Sequence, residues 1–79
     1  MINRKQISAG RDMLDWNQRR LAEESGVSLP TIQRMEKHGP GRSAAGNVEK
    51  VKYALERGGI AFIEANGGGP GVRLRDRQG

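Results

Sequence analysis

The sequence contains no cysteine, a single histidine, and one residue each of tryptophan, tyrosine and phenylalanine among its 79 positions. Without cysteine a disulfide is excluded, and His38 alone cannot supply the thiolate or paired imidazole ligands of a zinc site. No apolar run approaches the roughly 20 residues that a membrane-spanning helix needs. No apolar stretch follows the basic residues Arg4 and Lys5, so a signal peptide is not expected. These absences favour a cytoplasmic protein without a metal or another cofactor.

The usual signatures of catalysis are also missing. There is no cysteine nucleophile, and no glycine-rich loop leads into a predicted helix. The glycines within residues 67–71 lie between two predicted strands, which is typical of a turn and not of a phosphate cradle. We therefore expect a protein that is not an enzyme.

The charge balance is strongly basic. Fourteen Lys and Arg residues against nine Asp and Glu residues give a formal charge of +5, and the sequence pI is about 10.5. This balance favours a polyanionic partner, either nucleic acid or an anionic membrane surface. A membrane surface is disfavoured because no predicted helix combines a basic face with large aromatic anchors.

The chain length allows one compact domain of marginal stability. Because disulfides and metal are excluded, a second subunit is the remaining source of stability for so small a domain. The sequence therefore favours an oligomer.

Apolar periodicity predicts a first helix over residues 3–14. Asn17 is a suitable N-cap for a second helix over Gln18–Ser25, which Gly26 ends by supplying a positive φ. Ser28 caps a third helix that has Pro30 in its first turn and runs to about residue 37.

A loop rich in Gly, Pro and Ser is predicted over residues 39–46. Asn47 is a candidate N-cap for a fourth helix, which carries Val48, Val51 and Leu55 on one face and stops at residues 58–59. Residues 60–63 and 72–75 are β-prone runs separated by a turn at residues 66–71, which predicts a hairpin. The predicted fold is mainly α: a four-helix domain over residues 1–59, followed by a β-hairpin over residues 60–79.

Two short helices joined by a tight turn make residues 18–36 a helix-turn-helix unit, with Val27 filling the angle between the helices. The residues of this stretch that carry a family pattern are Gln18, Leu21, Ala22, Gly26, Val27, Ile32, Met35 and Glu36. In these residues it resembles the Xre/Cro family of phage-repressor-like regulators, over about residues 7–55, and the resemblance implies that residues 1–59 are a DNA-binding domain. The segment at residues 67–74 is similar to the tail of small bacterial members. Asp15 and Arg20 depart from the family, which often has Gly and a capping Glu at these positions.

The resemblance implies a transcriptional regulator that binds a palindromic operator in double-stranded DNA as a homodimer, through the major groove. A helical projection agrees, since it separates an apolar side of the third helix from a polar one. The residues predicted to read bases are Leu29, Pro30, Thr31, Gln33 and Arg34. The residues predicted to contact phosphate are Gln18, Arg19, Arg20, Ser28, Lys37 and Arg42, with backbone N–H groups of residues 39–43.

The resemblance also implies an ion pair between Arg11 on the first helix and Glu36 on the third. Glu36 borders the apolar stripe, where an unpaired carboxylate is costly. We expect this pair to be partly buried and to have a structural role.

The subunit contact is predicted in the hairpin, because an exposed strand edge favours pairing with a symmetry mate. The alternative is that the hairpin only covers the core of the monomer. A second alternative concerns function: an antitoxin or antiactivator that acts by binding another protein. No small-molecule effector domain is evident. The predicted dimer residues are Ile60, Phe62, Ile63, Val72 and Leu74.

Overall fold

A computed structural model describes residues 1–65 and 67–75 of the chain. Residue 66 of the predicted turn and residues 76–79, at the end of the predicted hairpin segment, lie outside these ranges. The prediction of a mainly helical chain that ends in a two-stranded antiparallel hairpin is confirmed. The elements are α1 (Arg4–Met13), α2 (Gln18–Ser25), α3 (Leu29–His38), a 3₁₀ turn (Pro40–Arg42), α4 (Ala45–Gly58), β1 (Ile60–Ile63) and β2 (Gly71–Leu74).

Local capping determines where α2 and α3 begin. The side chain of Asn17 accepts a hydrogen bond from the N–H of Arg20 at 2.7 Å, and Ser28 accepts one from the N–H of Thr31 at 3.4 Å. Gly26 ends α2 in the left-handed region, at a φ of 73°, which glycine adopts without steric cost. The predicted bounds of α2 and the predicted caps of both helices are therefore confirmed.

The start of α4 differs from the prediction. The helix begins at Ala45, and Asn47 lies in its first turn, where its N–H donates to the carbonyl of Ala44 at 2.9 Å. The N-cap is Ala44, which forms no side-chain capping bond. The prediction of Asn47 as the cap is wrong because α4 begins two residues before Asn47, after a cap residue whose side chain has no oxygen for the sequence pattern to reveal. The predicted stop at Gly58 is confirmed.

All four helices and β1 contribute to a single hydrophobic core. Leu14, Trp16 and Ala22 are partly buried and pack against its rim. Among the described residues, no helix combines the length and apolar character needed to cross a lipid bilayer. The largest fully buried side chains are Ile7, Leu21, Ile32, Met35, Val51, Leu55 and Ile60.

The hairpin pairs Ile60 with Leu74 and Phe62 with Val72, so these four side chains share one face. Ile60 is 1% exposed, and Phe62 and Val72 are partly buried against the core. The prediction that the side chain of Ile60 contacts another subunit is therefore wrong, because that side chain belongs to the core of the monomer. Ile63 and Leu74 remain exposed.

Gln6 joins the hairpin to the start of α1. Its Oε1 accepts from the N–H of Asn3 at 2.9 Å, and Asn3 accepts from the N–H of Gln6 at 2.8 Å, which is a capping box. The Nε2 of Gln6 donates to the carbonyls of Ile63 at 3.3 Å and Gly71 at 3.0 Å. Gln6, which is 5% exposed, thus bonds both the start of α1 and the end of the strand pair that lies next to the connecting loop.

Candidate nucleic-acid interface

The α2–turn–α3 unit fixes the inner face of α3. Ile32 and Met35 on this face are both fully buried, and Val27 in the turn is 4% exposed. α3 packs against α1 as well as α2. The helix is therefore held from two sides, and its opposite face is presented to solvent.

That opposite face carries the predicted base-reading residues. Pro30, Gln33 and Arg34 are exposed, as is Lys37 one turn further along, while Leu29 is half-buried at the edge. Within residues 1–65 and 67–75, Arg34 and Lys37 form no ion pair. The structure therefore brings donors of hydrogen bonds together on one accessible helix face.

Thr31 differs from the other predicted base-reading residues. It is half-buried, and its Oγ1 lies 2.8 Å from the Oγ of Ser28 in a hydrogen bond within the capping turn. The hydroxyl thus takes part in the capping turn, and it keeps further hydrogen-bonding capacity beside the methyl group.

The beginnings of α2 and α3 favour anions. Neither helix has an acidic residue in its first turn, and free N–H groups at a helix N-terminus attract negative charge. Gln18 and Arg19 occupy the first turn of α2, beside the capped N–H of Arg20. The sequence predicted phosphate contacts at all three residues, and these contacts stay a prediction.

Two of the predicted phosphate contacts on α2, Arg19 and Arg20, have different surroundings. Arg20 lies over the ring of Trp16, 5.0 Å from its centroid, and its Nε donates to Glu24 at 2.8 Å. Arg19 is exposed and forms no ion pair within the described part of the chain. The side chain of Arg20 is therefore oriented by its contacts with Trp16 and Glu24, whereas the charge of Arg19 is unpaired within the described residues.

A shallow hollow at the carboxyl end of α3 brings Arg34 and Arg42 together. His38, Gly39 and Ser43 line the same hollow. Both arginines are exposed. The end of the exposed face of α3 is thus continuous with the loop that was predicted to contact phosphate.

Behind α3, the carboxylate of Glu36 is surrounded by donors. The Nε of Arg11 lies 2.8 Å from one carboxylate oxygen and its Nη2 lies 2.9 Å from the other, which is a bidentate pair. The Oγ of Ser8 donates at 3.0 Å and the Nε2 of Gln18 at 3.1 Å. The predicted pairing of Arg11 with Glu36 is present, and it ties α3 to α1.

The pair is partly shielded from solvent, with 16% of the Arg11 side chain and 7% of the Glu36 side chain exposed. Burial by itself raises the pKa of Glu36, but the hydrogen bonds from Arg11, Gln18 and Ser8 outweigh it and lower that pKa below its ordinary value. The hydrogen bond to Glu36 raises the pKa of Arg11. Both groups are therefore charged at neutral pH.

Two members of this cluster were not predicted in that role. Ser8 lies three residues before Arg11 and therefore on the same side of α1, so its place beside the ion pair could have been predicted from this spacing. Gln18 was predicted as a phosphate contact, and its amide nitrogen instead donates to Glu36. The Nη1 of Arg11 also donates to the carbonyl of Trp16 at 2.9 Å, a backbone contact for which side-chain patterns give no signal.

In residues 1–65 and 67–75, no group of three or more His, Cys, Asp or Glu side chains is placed to hold a metal ion. A comparison of the chain with protein-family models and with characterised proteins found no match.

Proposed function

We propose that this protein is a sequence-specific regulator that binds double-stranded DNA by inserting the outer face of α3 into the major groove. The observation that carries the proposal is the two-sided character of α3. Ile32 and Met35 lock its inner face into the core, while Gln33 and Arg34 stand exposed on the other side. A helix-turn-helix protein needs this arrangement, because base edges are read by side chains on a rigidly held helix.

Each exposed side chain on α3 suits a particular contact. The guanidinium of Arg34 can donate two hydrogen bonds to the O6 and N7 atoms of guanine, and the amide of Gln33 can pair similarly with adenine. Such bidentate contacts discriminate between bases by roughly 1–3 kcal/mol each. Leu29 and Pro30 offer apolar surface that suits the methyl group of thymine. These residues would supply the sequence specificity.

The phosphate contacts would lie around this face. Arg19 at the start of α2, Lys37 on α3 and Arg42 after it are exposed cations. The first-turn N–H groups that no cap uses, those of Gln18 and Arg19 in α2 and of Leu29 in α3, add backbone donors. Contacts to phosphate set the position and orientation of the protein without reading sequence. The overall formal charge of +5 also favours a polyanionic partner.

We further propose that the protein binds as a homodimer to a palindromic operator. One recognition helix reads only a few base pairs, which is too little to distinguish a site within a genome. Two copies related by a two-fold axis would read two half-sites about 34 Å apart.

The test is selection of bound duplexes from a random pool with the wild-type chain, repeated with Gln33→Ala/Arg34→Ala and with Arg73→Ala. Arg73 is exposed on β2, so its substitution removes the same charge as Arg34→Ala away from α3. We expect the wild type and Arg73→Ala to enrich one palindrome, and the α3 variant to lose that preference. A pool that enriches nothing with the wild type would contradict DNA binding and favour the alternative of a protein partner.

A further inference from the structure

The hollow at the carboxyl end of α3 contains the only histidine of the chain. His38 is the last residue of α3 and lies one helical turn after Arg34. It is exposed and lines the hollow together with Arg34 and Arg42. Within residues 1–65 and 67–75, His38 forms no ion pair. Its imidazole is therefore accessible to a ligand in the hollow.

No acidic side chain lines this hollow. The five carboxylates of residues 1–43 have other neighbours. Arg11 and Arg20 pair with three of them, and the other two line a separate hollow beside the start of α2. In chain order, these carboxylates belong to Asp12, Asp15, Glu23, Glu24 and Glu36.

The charged groups around the imidazole are basic. Arg34 and Lys37 belong to the same end of α3, and Arg42 belongs to the 3₁₀ turn that follows it. The two cations in the first turn of α1, Arg4 and Lys5, do not line the hollow. A hollow that is bordered by guanidinium groups and has no carboxylate suits an anion such as phosphate.

We propose that His38 is a further contact to a phosphate of the DNA backbone, and that this contact makes the affinity for DNA depend on pH. The inference rests on the proposed function, because the hollow adjoins the outer face of α3. With that face in the major groove, the end of the helix would lie beside the sugar–phosphate backbone. Histidine is the side chain whose ordinary charge change falls between about pH 5 and 8. The contact is therefore charge-assisted only in the lower part of that range.

The direction of the pH dependence follows from linkage. A phosphate beside an imidazole favours the protonated form, whereas no carboxylate in the hollow does so in the free protein. The complex therefore binds a proton more readily than the free protein, and the affinity for DNA rises as the pH falls. The Arg11–Glu36 pair stays charged in this range, because the pKa of Glu36 is lowered below its ordinary value.

The test measures the affinity of the wild type, His38→Gln and His38→Lys for the selected duplex at constant ionic strength. We expect the wild type to bind at least about tenfold more tightly at about pH 6 than at about pH 8. His38→Gln carries no charge at this position and should bind at both values as the wild type does at the higher pH. His38→Lys keeps a permanent charge and should bind at both values as the wild type does at the lower pH.

The salt dependence gives an independent measure of the contact. One added phosphate contact per copy should increase the magnitude of the slope of log K against log salt concentration by about 1.8 for a dimer. We expect this increase for the wild type between the higher and the lower pH. His38→Gln should show the same slope at both.

The matched control moves the histidine to another helix. In the double variant His38→Gln/Lys50→His, the chain again has one histidine, at an exposed position of α4. Its affinity should stay independent of pH, as in His38→Gln. A double variant that regains the pH dependence of the wild type would overturn the assignment to the hollow.

A purely structural role of His38 makes a different prediction. A protonated histidine in the last turn of a helix stabilises the helix through its dipole, but this effect is equal in the free and the bound protein. Calorimetry of DNA binding in two buffers with different ionisation enthalpies measures the protons taken up on binding. We expect uptake by the wild type at about pH 6.5 and none by His38→Gln. Equal uptake by both proteins would overturn the proposal.

Free phosphate is the other source of the same anion. Nuclear magnetic resonance of the imidazole Cε1–H over the pH range reports the charge of His38 directly. The duplex should shift its titration to higher pH, and inorganic phosphate at the same phosphate concentration should not. A shift with inorganic phosphate and none with the duplex would overturn the DNA contact.

The failure of this inference is distinguishable from that of the proposed function. If the wild type binds a selected duplex equally well at all pH values, His38 is not a phosphate contact and the DNA-binding proposal stands. If no duplex is bound at any pH, both proposals fall.

Discussion

At the scale of single residues, Glu36 concentrates the interactions that hold α3 in position. Its carboxylate accepts from Arg11, Ser8 and Gln18, which come from α1 and α2. A carboxylate that is 7% exposed is costly without such donors. The ionic cluster therefore orients α3 against α1 and α2.

Removing this carboxylate should destabilise the protein. We expect Glu36→Ala to lower the free energy of unfolding by about 3 kcal/mol, at the low end of the range for breaking a buried pair, because Arg11 keeps some access to water. Urea denaturation measures the loss. Glu49→Ala, at an exposed position of α4, is the control and should stay within about 0.5 kcal/mol of the wild type. An unchanged midpoint for Glu36→Ala would show that the pair adds no stability.

The lowered pKa of Glu36 makes part of the stability depend on pH. The folded state binds the proton less readily than the unfolded state, so the contribution is complete above the ordinary pKa. It is lost as the pH falls through the lower pKa of the folded state. Between about pH 5 and pH 2 we expect the wild type to lose more stability than Glu36→Gln, so that their melting temperatures converge. Parallel curves would contradict this assignment.

At the scale of elements, replacing glycine by alanine at the two ends of α4 should change the stability of the protein in opposite directions. A Cβ atom at Gly46 would meet nothing within 4 Å, whereas one at Gly58 would lie 2.7 Å from Leu14 and 3.0 Å from the Trp16 ring. We expect Gly46→Ala to stabilise the protein by about 0.5 kcal/mol through helix propensity. Gly58→Ala should destabilise it by about 1 kcal/mol, because the clash exceeds that gain. Urea midpoints that shift in the same direction would refute this account.

The hairpin depends on one donor from α1. Gln6→Glu keeps an acceptor for the N–H of Asn3 but replaces the group that donates to Ile63 and Gly71. We expect a loss of about 2 kcal/mol at neutral pH, with faster hydrogen exchange of the β1 and β2 amides, since two carbonyls then face a carboxylate. Gln33→Glu, the same change at an exposed site, is the control. Equal exchange rates in both variants would show that Gln6 does not hold the hairpin.

The elements that the sequence predicted best are those with local signals. Side-chain caps at Asn17 and Ser28 and the glycine at 26 determine the bounds of α2 and the start of α3, and such signals lie within a few residues. The start of α4 was misplaced because Ala44 forms no side-chain cap. Asn47, which carries a side-chain oxygen, matches the usual preference for N-cap residues better than Ala44, the residue that caps the helix.

The hairpin shows what a local pattern cannot decide. Ile60, Ala61, Phe62 and Ile63 are apolar on both faces of the strand, so alternation does not reveal which face is buried. Only packing against α1 and α4 assigns Ile60 to the core. The long-range contacts of Gln6 depend on the same tertiary arrangement, which explains why sequence reasoning found the exposed residues of α3 but missed this side chain.

At the scale of the whole molecule, the chain is a thin body of 34 × 30 × 18 Å. A domain of this size is only marginally stable. Association with a second copy would add stability by mass action. The longest dimension is close to one turn of DNA, about 34 Å. Two copies side by side are therefore of the right size to reach successive half-sites.

The distribution of cations predicts how binding will depend on salt. Each phosphate contact contributes about 0.9 to the slope of log K against log salt concentration. Under the proposed function Lys37→Ala removes one phosphate contact per copy, so we expect the slope of a dimer to fall in magnitude by about 1.8, with weaker binding to every sequence alike. Lys50→Ala, exposed on α4, should leave the slope unchanged. If Lys37→Ala instead alters the preference at one base pair and keeps the slope, then Lys37 reads a base, and the base-reading face extends one turn further along α3 than we propose.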